Sequence, residues 1–183
     1  MPRPPRIEVP GGVYHVTTNG THADRVFRDD ADRARWLRLL DAVVADYDWE
    51  CRAYCLLSTH DHLLLRIAEP TLARGMQYLN ARHAESFNRR HERDGHVFGA
   101  RYHAEPVQTP GHALEVCRYI ALNPVRAGLC ASAEDWPWSS FAATLGLARA
   151  PALLKPEWVL GLFATDPAEA RRRFRAFVQD GAG

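Results

Sequence analysis

Alternation of apolar and polar residues sets the first expectations. VYHVTTN (13–19) alternates and is rich in β-branched side chains, which predicts a strand. WECRAYCLL (49–57) and HDHLLLRI (60–67) predict two more strands, joined by a tight Ser58-Thr59 connection. HAEPVQ (103–108) predicts a fourth strand, and Pro106 places it at a sheet edge because proline donates no ladder hydrogen bond. Between these runs the period changes to that of a helix. Asp29 or Asp30 can cap a helix to about Tyr47, with Trp36, Leu39, Leu40, Val43 and Val44 inward. Pro70-Thr71 opens a longer helix to about Arg93, with Leu72, Met76, Leu79, Ala84 and Phe87 inward. Thr109-Pro110-Gly111 starts a helix from about His112 to Leu122, which Pro124 is expected to end. A WPWSS segment (136–140), short helices and a basic helix near 167–179 follow.

The order β-α-β-β-α-β followed by helices predicts an α+β, ferredoxin-like fold. Its four-stranded antiparallel sheet should have the first and third strands central and helices on one face, leaving the other face free for a site. Residues 1–129 are expected to form the main domain, with 130–183 a helical extension packed on it. The first twelve residues are rich in Pro and Gly and predict an arm without regular structure.

Composition narrows the class. The chain has 183 residues, 46% apolar and 25% charged, which suits a single globular domain. No apolar run approaches the ~18 residues that would span a bilayer. The N-terminus lacks a secretory apolar stretch, so a cytoplasmic protein is expected. Cys51, Cys55, Cys117 and Cys130 include no C-x-x-C pair and are expected as reduced core thiols. Net charge is only +1, but the basic residues cluster. Arg74, Arg82, Arg89, Arg90, Arg93, Arg101, Arg118 and Arg126 fall in residues 71–126, and a second group lies in the tail. Arginine's planar fork suits phosphate oxygens.

Two features carry candidate chemistry. His60 and His62 alternate to one face of a strand, with Asp61 on the other. Such a pair either shares a divalent metal or is simply buried and hydrogen-bonded. The metallo-hydrolase pattern H-x-H-x-D-H fails here, because Leu64 and Leu65 stand where its ligands would be. Tyr119 and Asn123 are four apart, hence on one face of a helix. A phenol there can attack a phosphate, and an amide oxygen can be a third ligand for Mg²⁺ or Mn²⁺. The plain alternative is a core tyrosine and an asparagine before a proline turn.

The segments RPPRIEVPGGVYHVTTNG (3–20), YCLLSTHDHLLL (54–65), LNARHAESFNRRHERDGHVFGARYHA (79–104), RYIALNPVRAGL (118–129) and DWPWSS (135–140) occur in the order and spacing of a known family. Over nearly its whole length the chain resembles the single-tyrosine HUH transposases, closest to the REP-associated tyrosine transposases of bacteria. The resemblance implies that His60, His62 and Asn123 hold Mg²⁺ or Mn²⁺ and that Tyr119 is the nucleophile. It implies nicking and rejoining of single-stranded hairpin DNA through a 5′-phosphotyrosine, with a short guide sequence read by the protein. Arg3, Arg6, Arg89, Arg90, Arg101, Arg118 and Arg126 are the candidate DNA contacts. His15 is a candidate to line the site, and His83, His91, His96 and His103 are not expected as ligands.

One residue departs from the pattern: Asp61 stands where the family carries a bulky apolar side chain. It should face the helix-covered side and need a partner, an arginine or a hydroxyl, with Ser58 and Thr59 near in sequence. Two other functions stay open. A hairpin-binding protein that no longer cuts would form no adduct, and a small-phosphoester hydrolase would turn over without one. The protein could act as a monomer or as a homodimer that exchanges its tyrosine helix, with the long extension favouring the monomer.

Overall fold

A computed structural model describes residues 8–181. Four strands, β1 (Val13–Asn19), β2 (Trp49–Leu56), β3 (His60–Ile67) and β4 (His103–Pro106), form one antiparallel sheet in the order β2-β3-β1-β4. β1 and β3 are central and β4 is an edge, as alternation and Pro106 predict. Helix α1 (Asp30–Asp46) follows β1 and helix α2 (Leu72–Arg90) follows β3, which completes the expected βαββαβ order.

Both helices pack on one face of the sheet. Asp29 caps α1 by accepting from the Asp32 N–H. Trp36, Leu40 and Val43 of α1 and Leu72, Met76, Leu79 and Phe87 of α2 bury against Tyr14, Val16, Leu63, Leu65 and Ile67. These sheet residues are alternate positions of β1 and β3, so their intervening neighbours face the other way.

The opposite face is not left free. Helix α3 (Pro110–Arg126) crosses it, and Val116, Cys117, Ile120 and Ala121 pack on Ala53, Cys55, Leu57 and Leu64. Two one-turn helices, α4 (Phe141–Thr144) and α5 (Glu157–Leu160), and helix α6 (Pro167–Gln179) extend this second core through Phe141, Val159, Phe174 and Val178. The physical reason lies in β2, which is apolar on both faces and must be covered on both. The outer edge of β2 is covered too. Leu56 N–H donates to Trp138 O at 2.9 Å, Tyr54 N–H to Ser140 Oγ at 2.9 Å, and Trp136 Nε1–H to Leu56 O at 3.0 Å. What the apolar packing leaves over on this face is the polar part of β1 and β3: His15, Thr17, His60 and, beneath α3, the buried His62.

Two local expectations are corrected. Helix α3 does not end before Pro124 but runs to Arg126, with Pro124 inside its last turn and buried. Proline removes only its own N–H bond there, and Ala127 N–H still closes onto Asn123 O at 2.9 Å. Cys51, Cys55 and Cys117 are buried as expected, but Cys130 is half-exposed.

Candidate nucleic-acid processing site

The polar patch is built by strand register. β1 and β3 pair so that Thr17 lies opposite His62 and Asn19 opposite His60. On β1, His15 and Thr17 share a face; on β3, His60 and His62 do. The four side chains therefore meet on the face that α3 crosses.

Each histidine has one ring nitrogen engaged by the scaffold. His62 Nδ1 lies 3.1 Å from Thr17 Oγ1 and 3.1 Å from His15 Nε2. His60 Nδ1 lies 3.0 Å from Thr59 Oγ1. Partners of this kind fix the tautomer and leave Nε2 as the free donor atom. Burial is the main cause that holds the pKa of His60 below its usual value, and His62 is driven to about 3 by burial and by neighbouring His60 and His15. Both imidazoles are therefore neutral near pH 7, the state in which they can bind a metal.

Helix α3 delivers the remaining groups. Asn123 Nδ2 lies 3.1 Å from His62 Nε2, and a turn of the amide would present its oxygen at the same place. One helical turn earlier, the Tyr119 ring stands edge-on to His62, with centroids 5.2 Å apart, and 5.8 Å from the ring of His15. Tyr119 is 41% exposed while His62 is 4% exposed, so the phenol faces the solvent that the imidazole is shielded from. A cleft of about 420 Å³ opens beside it, lined by His15, His112, Glu115, Arg118, Tyr119 and Arg126 among others. Two neutral imidazoles and an amide oxygen fit a divalent cation that takes nitrogen and oxygen donors. One chain thus brings together His60, His62, Tyr119 and Asn123.

The candidate DNA arginines fall into separate groups. Arg3 and Arg6 lie outside the described residues. Arg89 pairs with Glu85 at 2.9 Å. Arg90 pairs with Asp29 at 2.7 Å and also with Asp32. Arg118 pairs with Glu115 and stacks on Phe177. Arg126 sits 5.8 Å from the Tyr119 ring centroid, and neither it nor Arg101 has a carboxylate partner among the described residues. A second cluster, Asp29, Asp32 and His91, has ligand atoms within 4.8 Å of one another. Arg90 already occupies its carboxylates with bonds from 2.5 to 2.8 Å, so a cation is already in place.

Asp61 points to the α1–α2 face as expected, but among the described residues no arginine, Ser58 or Thr59 pairs with it, and the hydroxyl beside it is that of Thr18. Ser58 Oγ receives Arg33, and Thr59 faces His60. Neither Asp61 oxygen reaches a donor in strict hydrogen-bond geometry among the described residues, and the side chain is fully buried. Burial raises its pKa well above the usual value, and the Thr18 hydroxyl across the strand pair offsets this only in part. Burial therefore favours its protonated, neutral form over the carboxylate. Among other histidines, His83 is a core residue bonded to Val26 O at 2.8 Å, and His91 pairs with Asp32.

The roles of Thr17 and Thr59 escaped the sequence reading. A threonine two residues after His15 was legible as sharing its face, but its placement against His62 depends on the β1–β3 register.

Comparison with known proteins bears on the family and the fold. Residues 9–123 match the family described as IS200-like transposases. A Haemophilus influenzae protein, named for the REP-associated tyrosine transposases, is 27% identical over 106 residues, covering 52% of this chain. The matched region spans 60% of that protein's length. A solved structure described as a REP-associated tyrosine transposase bound to a REP hairpin superposes with a TM-score of 0.68 at 17% identity, over 91% of this chain and 93% of its own. That last likeness establishes the fold. With a family match over more than half its length, the chain belongs to the IS200-like transposases.

Proposed function

We propose that this protein nicks and rejoins single-stranded hairpin DNA through a covalent link to Tyr119, with Mg²⁺ or Mn²⁺ held by His60, His62 and Asn123. The observation that carries the reading is the edge-on approach of Tyr119 to His62 at 5.2 Å between ring centroids, inside one chain. The structural relative's REP hairpin supports a hairpin substrate.

In this reading Tyr119 Oη attacks the scissile phosphorus in line. The phenol loses its proton, a phosphorus–oxygen bond to tyrosine forms, and the bond to the 3′-oxygen breaks. That oxygen leaves as a 3′-hydroxyl, and the 5′-phosphate stays on Tyr119. Because one phosphodiester replaces another, a 3′-hydroxyl can reverse the step and join a new strand without ATP. The bound cation would withdraw charge from the phosphate oxygens. Thr17, His15 and Thr59 orient the two imidazoles. The Arg126 guanidinium, beside the Tyr119 ring, is placed to pair with a phosphate oxygen. Tyr119 completes the site of its own chain.

Incubating the native protein with a labelled hairpin oligonucleotide and Mn²⁺ tests this. A covalent adduct that Tyr119→Phe does not form is expected. Native protein that binds the hairpin without an adduct is a binding protein only. Turnover of a small phosphoester without an adduct would make it a hydrolase.

A further inference from the structure

A second cavity lies away from the tyrosine, between α2 and the segment entering β4. It measures about 480 Å³, and Ala73, Met76, Asn80, Phe98, Ala100 and Tyr102 are among the residues that line it. We propose that this cavity seats the chain's own N-terminal arm, residues 1–7, whose Pro-rich run PRPPRI (2–7) packs on its aromatic wall. The proposal stands apart from the DNA chemistry above and does not depend on it.

Three observations carry it. The first is where the arm begins. The Glu8 carboxylate accepts from the N–H groups of Leu72 at 2.9 Å and Ala73 at 2.7 Å, at the start of α2. Ala73 is itself part of the cavity wall. On the other side of Glu8, Val9 N–H donates to Tyr14 Oη at 2.7 Å and the chain turns into β1. The residues before Glu8 therefore start at the cavity's rim. As a polyproline helix of ~3.1 Å per residue, residues 2–7 reach about 19 Å, roughly twice the width of a round cavity of that volume.

The second is the match of surfaces. Met76, Phe98 and Tyr102 give the cavity an apolar, aromatic wall. Pro-rich segments dock on such walls because proline fixes φ in advance, so little entropy is lost on ordering. Pro2, Pro4, Pro5 and Ile7 supply the arm's apolar side chains. The third is the polar chemistry. No acid lines the cavity among the described residues, and its buried acceptor is Asn80 Oδ1, which has no hydrogen-bond partner among them. A buried acceptor left unpaired is costly, and a guanidinium brings five N–H donors. An arginine of the arm can satisfy Asn80 while its plane lies against the Phe98 ring. Arg101 stands exposed at the rim, so a seated arm would gather Arg3, Arg6 and Arg101 along one edge of the molecule. Water and salt at that edge screen their mutual repulsion.

Limited digestion of the full chain by trypsin tests this. The cut within the arm is the Arg6–Ile7 bond, because Arg3 precedes a proline and is passed over. When docking is fast, the rate of that cut follows the population of the unseated arm. Ala100→Trp fills the cavity from an exposed position, and Asn80→Ala removes the acceptor. Each should speed the Arg6–Ile7 cut about tenfold over native protein, the scale of one lost buried contact. The cut after Arg149, in the exposed stretch between α4 and α5, is the reference and should keep its rate. Equal Arg6–Ile7 rates in native protein and both variants overturn the proposal. Should Asn80→Ala speed the reference cut as well, it has lost its fold, and Ala100→Trp decides alone. Dilution then identifies the occupant. Native protection that holds at every protein concentration belongs to the chain's own arm. Protection lost on dilution belongs to the arm of a second copy and overturns the proposal. Protection that arises only when a hairpin oligonucleotide is added gives the cavity to DNA and overturns it too.

Discussion

Asp61 sets two residues of opposite need side by side: a carboxyl group in the core and the imidazoles that the site uses. Its folded pKa lies well above the 3.8 of an exposed aspartate. The folded state thus keeps a proton that the unfolded chain releases, and stability falls as pH rises above about 4. Asp61→Asn removes that titration. Its urea midpoint should exceed that of the native protein at pH 8 and approach it at pH 4, with a gain of roughly 1–3 kcal/mol at the higher pH. An equal gap at both pH values would mean that the carboxyl is not held neutral. Thr17 is the second residue at this scale. It holds His62 Nδ1 at 3.1 Å without being a ligand. Thr17→Val should weaken Mn²⁺ binding by roughly 10–100-fold, as read by calorimetric titration, with the melting temperature close to native. Unaltered Mn²⁺ affinity would show that the hydroxyl does not orient the ring.

Helices α2 and α3 owe their usefulness to features that helical propensity alone would not select. Gly75 lies in the first turns of α2, where glycine costs about 1 kcal/mol relative to alanine. The Trp49 ring explains it: a β-carbon on Gly75 would fall 2.3 Å from Trp49 Cη2. That ring is pinned by its Nε1–H bond to Thr71 Oγ1 at 2.9 Å and cannot easily yield. Gly75→Ala should therefore destabilise by roughly 1–3 kcal/mol, although it improves helix propensity, and chemical denaturation would measure it. A stabilised variant would contradict this packing. In α3 the continuation past Pro124 keeps Asn123 helical, one turn from Tyr119 on the same face. The spacing of those two residues was legible in the sequence because the helical period is fixed. The helix end was not, because burial of Pro124 outweighed the local tendency to stop.

For the whole molecule, the consequence is a site that one chain can complete. Tyr119 and His62 meet within the chain, and α3 is clamped between the sheet and α6 by Ile120, Phe174 and Val178. Mixing Tyr119→Phe with a His60→Ala, His62→Ala protein should therefore restore no more adduct than either alone. Recovery toward half of native activity would point to tyrosine helices exchanged between copies. Among the described residues no helix is long and apolar enough to cross a membrane. Several arginines that the sequence offers for DNA, Arg89, Arg90 and Arg118, already meet acids, whereas Arg101 and Arg126 meet none among the described residues.

Read alone, the chain determined the strand and helix order, the edge position of the fourth strand, and the shared faces of His60 with His62 and of Tyr119 with Asn123. These follow from local periods and from proline's missing donor, which neighbouring residues suffice to set. Only the tertiary structure decided that α3 covers the second face, that Thr17 and His15 hold His62, that Asp61 is buried beside the Thr18 hydroxyl with no arginine on it among the described residues, and that α2 and the approach to β4 enclose a cavity. Each of these depends on register between strands or on packing between distant segments, and that information is distributed over the whole chain rather than carried by any one stretch of it.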